Sequence, residues 1–585
     1  MEHQVRIVDE HNKLIKILDA ENGELLHNVL VHEHEYHAPC GGNRTCKKCK
    51  VQIKNDIAHT PEEKRVFNKE EIKLGMHLAC MLQVTEDITI ELRYNRYQIA
   101  ENNYEMTDID PIIKRTCIAI NTLKHDAKED YATTLKKKIG ANKISVEVVK
   151  KLSYFILEQA DKVIVIHDDN KIIGITEKLE EGYGIAIDIG TTTIVSYLYS
   201  LSTGEYKDVI SEINYQKNFG FDVIARIKYA HETKGLEALH KVVTSQINSM
   251  IKSLLNKNNL NKDQLDELII VGNTVMMHLF IGANPKDIGT APFTPIFTES
   301  IYTSALDLDL DVPSHCQALI LPSIAAYVGA DIVSGMIATE MNKKDTCVLL
   351  IDIGTNGEIA LVNHGQITCC ATAAGPAFEG ANIAYGVGGV FGAINKIFNG
   401  GSKVSYATIN DEPPIGICGS GLIDGIAYML NQGYIDETGY LEGDDLVEVE
   451  EMSALEIAQK QDDTKIYITQ KDIREIQLAK GSIRAGIDTM IYESGIRIEQ
   501  IDKVYVAGGF GSYMNKESAL RIGLLPRALE DKIESIGNSA GMGAIKVLLN
   551  KKHLDAAHQI KEQCRYVELS NSVKFMDYYM ESMSF

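Results

Sequence analysis

Apolar residues recur with two periods along this 585-residue chain, and the switches between them mark its elements. Near the start, "VRIVD" and "KLIKILD" alternate apolar and polar positions like the arms of a hairpin. "ELLHNVL" has helical apolar spacing, and "CKVQIK" and "VTEDITIEL" return to strand patterns. Further on, "ISVEVVKKLSYFILEQ" predicts an amphipathic helix and "KVIVIHDDNKIIGI" a second hairpin. Two later stretches echo one another: "IAIDIGTTTIVSYLYS" from Ile185 and "LLIDIGTNGEIALV" from Leu349. Each is an apolar strand ending in Asp, a glycine turn with hydroxyl residues, and a second strand beginning at once. Asp188 and Asp352 lie 164 positions apart, a spacing that predicts duplicated domains and not a solenoid of short repeats.

The turn between those strands carries chemistry. A tight Gly-Thr hairpin directs backbone amides at an anion, its hydroxyls add donors, and the carboxylate can hold Mg²⁺ through water or orient an attacking water. Two such hairpins facing each other would grip the phosphates of ATP from both sides. The candidate residues are Asp188, Gly190, Thr191, Thr192 and Thr193 in the first, and Asp352, Gly354, Thr355 and Asn356 in the second. The chain has no Gly-Lys dipeptide, which excludes a P-loop. A third motif, "VYVAGGFGSYM", sets Gly508, Gly509, Phe510 and Gly511 after an apolar strand, where bare backbone could lie against a base and ribose. Together the three motifs resemble those of the superfamily of acetate and sugar kinases, heat-shock chaperones and actin. That resemblance implies a duplicated actin-like (RNase H-like) ATPase fold over 182–585, in lobes of about 182–345 and 346–585. Glu379 in "PAFEGA" is a candidate for positioning the hydrolytic water, or else a helix-start carboxylate facing solvent; Asp331 in "GADIVSG" either faces the cleft or caps a helix.

Composition narrows the classes that remain. About 45% of residues are apolar, enough for several packed cores, and the formal charge of -22 argues against nucleic acid, whose phosphates need a basic face. "MEHQVRIVDE" has no basic n-region followed by an apolar core, so we expect no signal peptide and a cytoplasmic protein. The most membrane-like stretch, "ALILPSIAAYVGADIVSGMIA", is broken by Pro322, two glycines and Asp331, and reads as a buried helix with its approach. We expect no membrane partner.

Eleven cysteines in a reducing compartment point to ligands, redox groups or small core residues. Cys40, Cys46, Cys49 and Cys80 stand apart with the spacing C-x5-C-x2-C-x30-C. A 2Fe–2S cluster takes four thiolates, commonly three from one wrapped loop and a fourth from a distant segment. A zinc knuckle would pair two short hooks, and Cys80 has no partner two residues on. The "HEHEYH" run before Cys40 reads as a solvated charged segment. Among the rest, the vicinal Cys369 and Cys370 read as buried small residues or a redox-active pair. The order of elements around the four cysteines resembles a β-grasp ferredoxin domain, over 1–94. Residues 95–181 form a linker and a small α+β middle region whose sequence supports only a spacer or docking role.

An N-terminal 2Fe–2S domain joined to an actin-like ATPase, with "VGNTVMMHLFIG", "GPAFEGANI" and "ICGSGLID" between the nucleotide motifs, resembles the reductive activators of corrinoid proteins. The resemblance implies ATP, Mg²⁺ and a 2Fe–2S cluster as cofactors, with one electron passing to a corrinoid whose cobalt has been oxidised from Co(I) to inactive Co(II). It also implies a corrinoid partner, either a methyltransferase subunit or a corrinoid iron-sulfur protein, a low-potential electron donor, and a homodimer. Two other classes stay open: a redox-sensing ATP-driven binding switch and a small-molecule kinase.

Overall fold

The computed structural model describes residues 2–8, 13–31, 36, 42, 44, 47, 49–67, 69–91, 108–123, 129–178, 180–343, 345–401, 404–509, 511 and 513–585. At the N-terminus five strands lie in the order Leu14–Glu21, Glu2–Val8, Ile88–Glu91, Lys50–Ile53, Met76–Leu78. Glu2–Val8 pairs antiparallel with Leu14–Glu21 and parallel with Ile88–Glu91, the mixed sheet expected of a ferredoxin-like domain. The alternation in "VRIVD" is the reason: Val5 and Ile7 are buried while Arg6 faces solvent. The predicted helix in "ELLHNVL" is shorter than its pattern, because Glu24–Leu25 first pairs with Gln83–Val84 and the helix runs Leu26–Leu30.

A four-stranded sheet follows, in the order Lys114–Ala119, Lys162–His167, Lys171–Thr176, Lys143–Ile144. It carries the helices Tyr131–Ile139 and Val146–Leu157, whose first turns are capped by the side chains of Asp130 and Ser145. The predicted hairpin is the antiparallel pair Lys162–His167 and Lys171–Thr176.

The remaining chain builds two sheets of the same plan. The first runs Tyr206–Ile213, Thr193–Ser200, Tyr183–Ile189, Leu265–Gly272, Gln317–Ile320, Ile301–Ser304. The second runs Gln366–Thr372, Gly357–Asn363, Cys347–Ile353, Lys503–Ala507, Ile533–Gly537, with Cys564–Tyr566 added beside Gln366–Thr372. In both, three antiparallel strands in chain order are followed by two parallel ones, the duplication read from the repeated "IDIGT". Their central strands are covered on both faces and read as continuous apolar runs; each Val, Ile or Leu buried there contributes about 1.5–3 kcal/mol. The second lobe also holds two three-stranded sheets, between Ala393 and Ile417 and between Val447 and Thr469, with the long helices Gly419–Gln432 and Gln470–Glu493.

Two helices join the lobes. Ala330–Thr339 leaves the first sheet and Ser539–Leu549 the second, and they cross with Ser334 Oγ donating to the Ala540 carbonyl at 2.5 Å. Among the described residues no helix is long and apolar enough to cross a membrane.

Candidate functional site: a two-lobed cleft beside a paired-thiol domain

The two Gly-Thr hairpins face each other across a cavity of about 1680 Å³. In the first, the Gly190 amide donates to the Thr193 carbonyl at 2.9 Å, closing the turn. Thr191 is buried and its Oγ1 accepts from Asn273 Nδ2 at 2.9 Å, while Asn273 also caps the helix Thr274–Ile281. In the second, the Gly354 amide donates to the Asn356 carbonyl at 3.0 Å. Thr193 and Asn356 line the same cavity.

Glu379 ties the hairpins together. Its Oε1 accepts from Thr192 Oγ1 at 2.7 Å and from Thr355 Oγ1 at 2.9 Å, and Oε2 also lies 2.9 Å from Thr355 Oγ1. The solvent-facing reading of Glu379 is thereby corrected: the turn Pro376–Glu379 aims the carboxylate into the cleft, between one hydroxyl from each lobe. Burial pushes its pKa up, against the pull of the two threonines and of the Arg226 guanidinium.

At the base of the cleft, carboxylates crowd together. Burial and the neighbouring Asp331 raise the Asp188 pKa to about 7, opposed by the hydrogen bond that Asn538 Nδ2 donates to Asp188 Oδ2 at 2.9 Å. Asp352 is raised to about 8 by burial, Asp331 and Asp188, and Asp331 to about 6 by burial. Glu358, paired in register with Asp352, is raised well above its ordinary value by burial, Asp331 and Asp352. Asp331 thus faces the cleft; the residue at the cap position of its helix is Gly329. So many acids in one space favour a cation. Among the described residues no three His, Cys, Asp or Glu side chains form a ready-made metal cage.

Gly508 and Gly509 line the cleft at the end of strand Lys503–Ala507. Gly508 has φ +95°, and a Cβ there would stand 2.7 Å from Asp352 Oδ1, so only glycine lets this turn approach the second aspartate. Gly511 is buried behind them, its carbonyl accepting from Ser535 Oγ at 3.0 Å, and Phe510 lies outside the described residues.

In the N-terminal domain, Cys49 and Cys80 are buried with their Sγ atoms 3.2 Å apart, across 31 residues of sequence. Cys40, Cys46 and most of the "HEHEYH" run lie outside the described residues. Gly42 has φ +81° and sits so close to His27 that a Cβ would meet the ring at 2.6 Å; His27 Nδ1 is in turn 2.7 Å from the Tyr36 hydroxyl. Cys369 and Cys370 are fully buried, and Cys564 Sγ donates to Cys369 Sγ at 3.1 Å. That bond and burial hold the Cys369 thiol protonated, the core-residue reading of the pair.

Sequence reasoning missed four residues. Asn538 reaches Asp188 from the far lobe, and Asn273 braces Thr191. Arg226, fully buried, donates through Nη2 to the Thr191 carbonyl at 2.5 Å and through Nε to the Gly220 carbonyl at 2.8 Å. Lys217 is buried on the cleft wall. Only the caps Asn273 and Asn538, each an Asn just ahead of an apolar helix, left a readable signal.

Comparison with known proteins agrees with this architecture. Residues 346–585 match the family described as the C-terminal domain of RACo, the ASKHA domain, and residues 183–344 match the RACo middle region. That middle region is therefore the first lobe here, and the four-stranded unit precedes it. The chain is 33% identical over 576 residues to the corrinoid activation enzyme RamQ of Eubacterium limosum, covering 93% of each. It is 26% identical over 447 residues to the [Co(II) methylated amine-specific corrinoid protein] reductase of Methanosarcina barkeri, covering 69% of this chain and 77% of that one. A solved structure, the reductive activator for corrinoid, iron-sulfur protein, superposes with a TM-score of 0.76 at 32% identity, covering 100% of this chain and 98% of that chain. The chain belongs to the RACo family of corrinoid-activating proteins.

Proposed function

We propose that this chain uses ATP to drive one-electron reduction of a corrinoid protein, returning inactive Co(II) to Co(I). The observation that carries this reading is a single cavity with two kinds of wall: Lys50 and Arg65 of the paired-thiol domain face the same space as Thr192, Thr355 and Glu379. Cys40, Cys46, Cys49 and Cys80 are the thiolates we assign to a 2Fe–2S cluster, and the approach of Cys49 to Cys80 suits two soft donors of one centre. When bound, such a cluster supplies a relay for one electron at a time.

In the cleft, the amides and hydroxyls of Gly190, Thr191, Thr192 and Thr193 on one side, and of Gly354, Thr355 and Asn356 on the other, hold the phosphates of ATP. Asp188 and Asp352, with Asp331 beside them, are the residues that would hold Mg²⁺, which would supply charge to offset the phosphates. Gly508 and Gly509, which line the cleft, back the adenosine. Glu379 orients the hydrolytic water, accepting its hydrogen bond while Thr192 and Thr355 fix the carboxylate. Because those threonines belong to different lobes, a phosphate between them favours closure and its loss removes the bias.

Making Co(I) from Co(II) is uphill, each adverse 59 mV costing about tenfold in equilibrium constant for one electron. ATP helps only if the two nucleotide states differ in affinity for the corrinoid partner. The test is Asp352→Asn, reduced anaerobically and mixed with a Co(II) corrinoid protein. ATP-dependent Co(I) formation is expected to fall about 100-fold or more, with the visible bands of the thiolate centre unchanged. Wild-type rates in this variant would contradict the reading.

A further inference from the structure

We propose that Lys217 is the cation that receives the terminal phosphate of the nucleotide, and so the residue by which the cleft tells ATP from ADP. This rests on the reading of the cleft as an ATP site.

Lys217 lies in the short turn Tyr215–Asn218, lines the cavity with Thr192, Thr355 and Glu379, and is only 6% exposed. Among the described residues no hydrogen bond or ion pair engages its ammonium. A buried amine without a counter-ion gives up its proton readily, so an anion entering the cleft would gain by supplying the missing partner.

The turn is fastened to the first hairpin. Asn214 donates from its amide to the Thr192 carbonyl and from Nδ2 to the Gly190 carbonyl, each at 2.8 Å, and Asn214 Oδ1 accepts from the Gln216 amide at 3.0 Å. Gln216 Nε2 in turn donates to the Leu239 carbonyl at 3.0 Å. Lys217 is therefore delivered beside Thr192 by backbone already in register with the phosphate turn.

The neighbouring cation cannot take this role. Arg226 directs Nε and Nη2 at backbone carbonyls, and Nη1 at Gln216 Oε1 (3.4 Å) and Met276 Sδ (3.1 Å). The turn to which Asn214 is bonded carries Thr192, whose hydroxyl meets Glu379, so the segment bearing Lys217 adjoins the part of the cleft where the last phosphate would sit. Burial and the Arg226 charge hold the Lys217 pKa down to about 7, and a phosphate arriving beside it would raise that value and fix the proton on the amine. Hydrolysis and loss of phosphate would leave the lysine unpaired again, favouring an opened cleft.

The experiment compares wild type, Lys217→Met and Lys217→Arg as full-length protein, measuring thermal unfolding and equilibrium binding with Mg²⁺ and either ADP or a non-hydrolysable ATP analogue. Lys217→Met should match or exceed the wild-type Tm without nucleotide, because a buried polar amine has gone. It should bind ADP within about threefold of wild type and the ATP analogue roughly 30-fold or more weakly, with Lys217→Arg regaining part of that loss. Unchanged analogue affinity in Lys217→Met overturns the proposal, as does a lowered Tm with equal losses for both nucleotides, which would make the lysine a packing residue. If wild type binds neither nucleotide, the ATP reading of the cleft itself falls.

Discussion

Asn218 Nδ2 donates a buried hydrogen bond to the carbonyl of Val31 at 2.9 Å, joining the ATPase to the N-terminal domain at the last residue described before residue 36. The Val31 side chain packs within the core of the first lobe, among residues such as Val223 and Leu239. The turn that places Lys217 in the cleft thus also holds the backbone that leads toward Cys40. Asn218→Ala leaves the Val31 carbonyl unsatisfied, at about 1–3 kcal/mol. Hydrogen exchange at residues 26–31 should quicken about tenfold or more, and ATP-dependent Co(I) formation should fall further than ATP hydrolysis does. Unchanged exchange would show that this contact does not hold the two domains together.

Glu379 sits where both hairpins can reach it, so its removal should affect the chemical step more than binding. For Glu379→Gln, hydrolysis is expected to drop by about 10²–10⁴-fold with nucleotide affinity within a few-fold of wild type. Single-turnover hydrolysis beside equilibrium binding checks this. A loss confined to affinity would make Glu379 a lobe clamp only.

The crowded carboxylates at the cleft base make a related prediction about stability. Without metal, Asp188, Asp331, Asp352 and Glu358 burden one another, so Asp352→Asn should raise the Tm of the chelator-treated protein by about 2–4 °C while abolishing the added stability conferred by Mg²⁺ and ATP. Calorimetry with and without EDTA distinguishes this from a simple loss of fold, which would lower both values.

Acid sensitivity of the N-terminal domain should trace to Glu63. Burial works to raise its pKa, but the hydrogen bond from His77 and those from the Thr60 and Leu78 amides prevail and pull it to about 2, from 4.5. Because the folded value is depressed, the stabilisation is fully present above about pH 4.5 and is lost as pH falls toward 2. Glu63→Gln should destabilise the domain at pH 7 by on the order of 2–3 kcal/mol, a difference that vanishes near pH 2. Hydrogen exchange in the strands Lys50–Ile53 and Met76–Leu78 against pH provides the readout.

What the sequence made legible follows from how local each signal is. The two hairpins were readable because Asp, Gly and Thr sit consecutively between apolar strands, and the structure sets Thr192 and Thr355 on either side of one carboxylate. The paired thiols were readable from spacing. Lys217 was not, since "NYQKNFG" looks like a solvated turn, and its burial depends on Asn214 bonding back to Gly190. Asn538 meets Asp188 across 350 positions, a contact set by two crossing helices and not by any local pattern. The hairpin Ala393–Asn399 and Val404–Thr408 went unread because its strands are only partly buried and lack clean alternation.

The most direct test of the central claim is an anaerobic optical spectrum of a Co(II) corrinoid protein mixed with the reduced wild-type chain, with and without Mg-ATP. The account predicts the Co(I) band only when ATP is present. Co(I) forming equally without ATP, or ATP being hydrolysed with no Co(I) formed from any corrinoid protein tested, would contradict it.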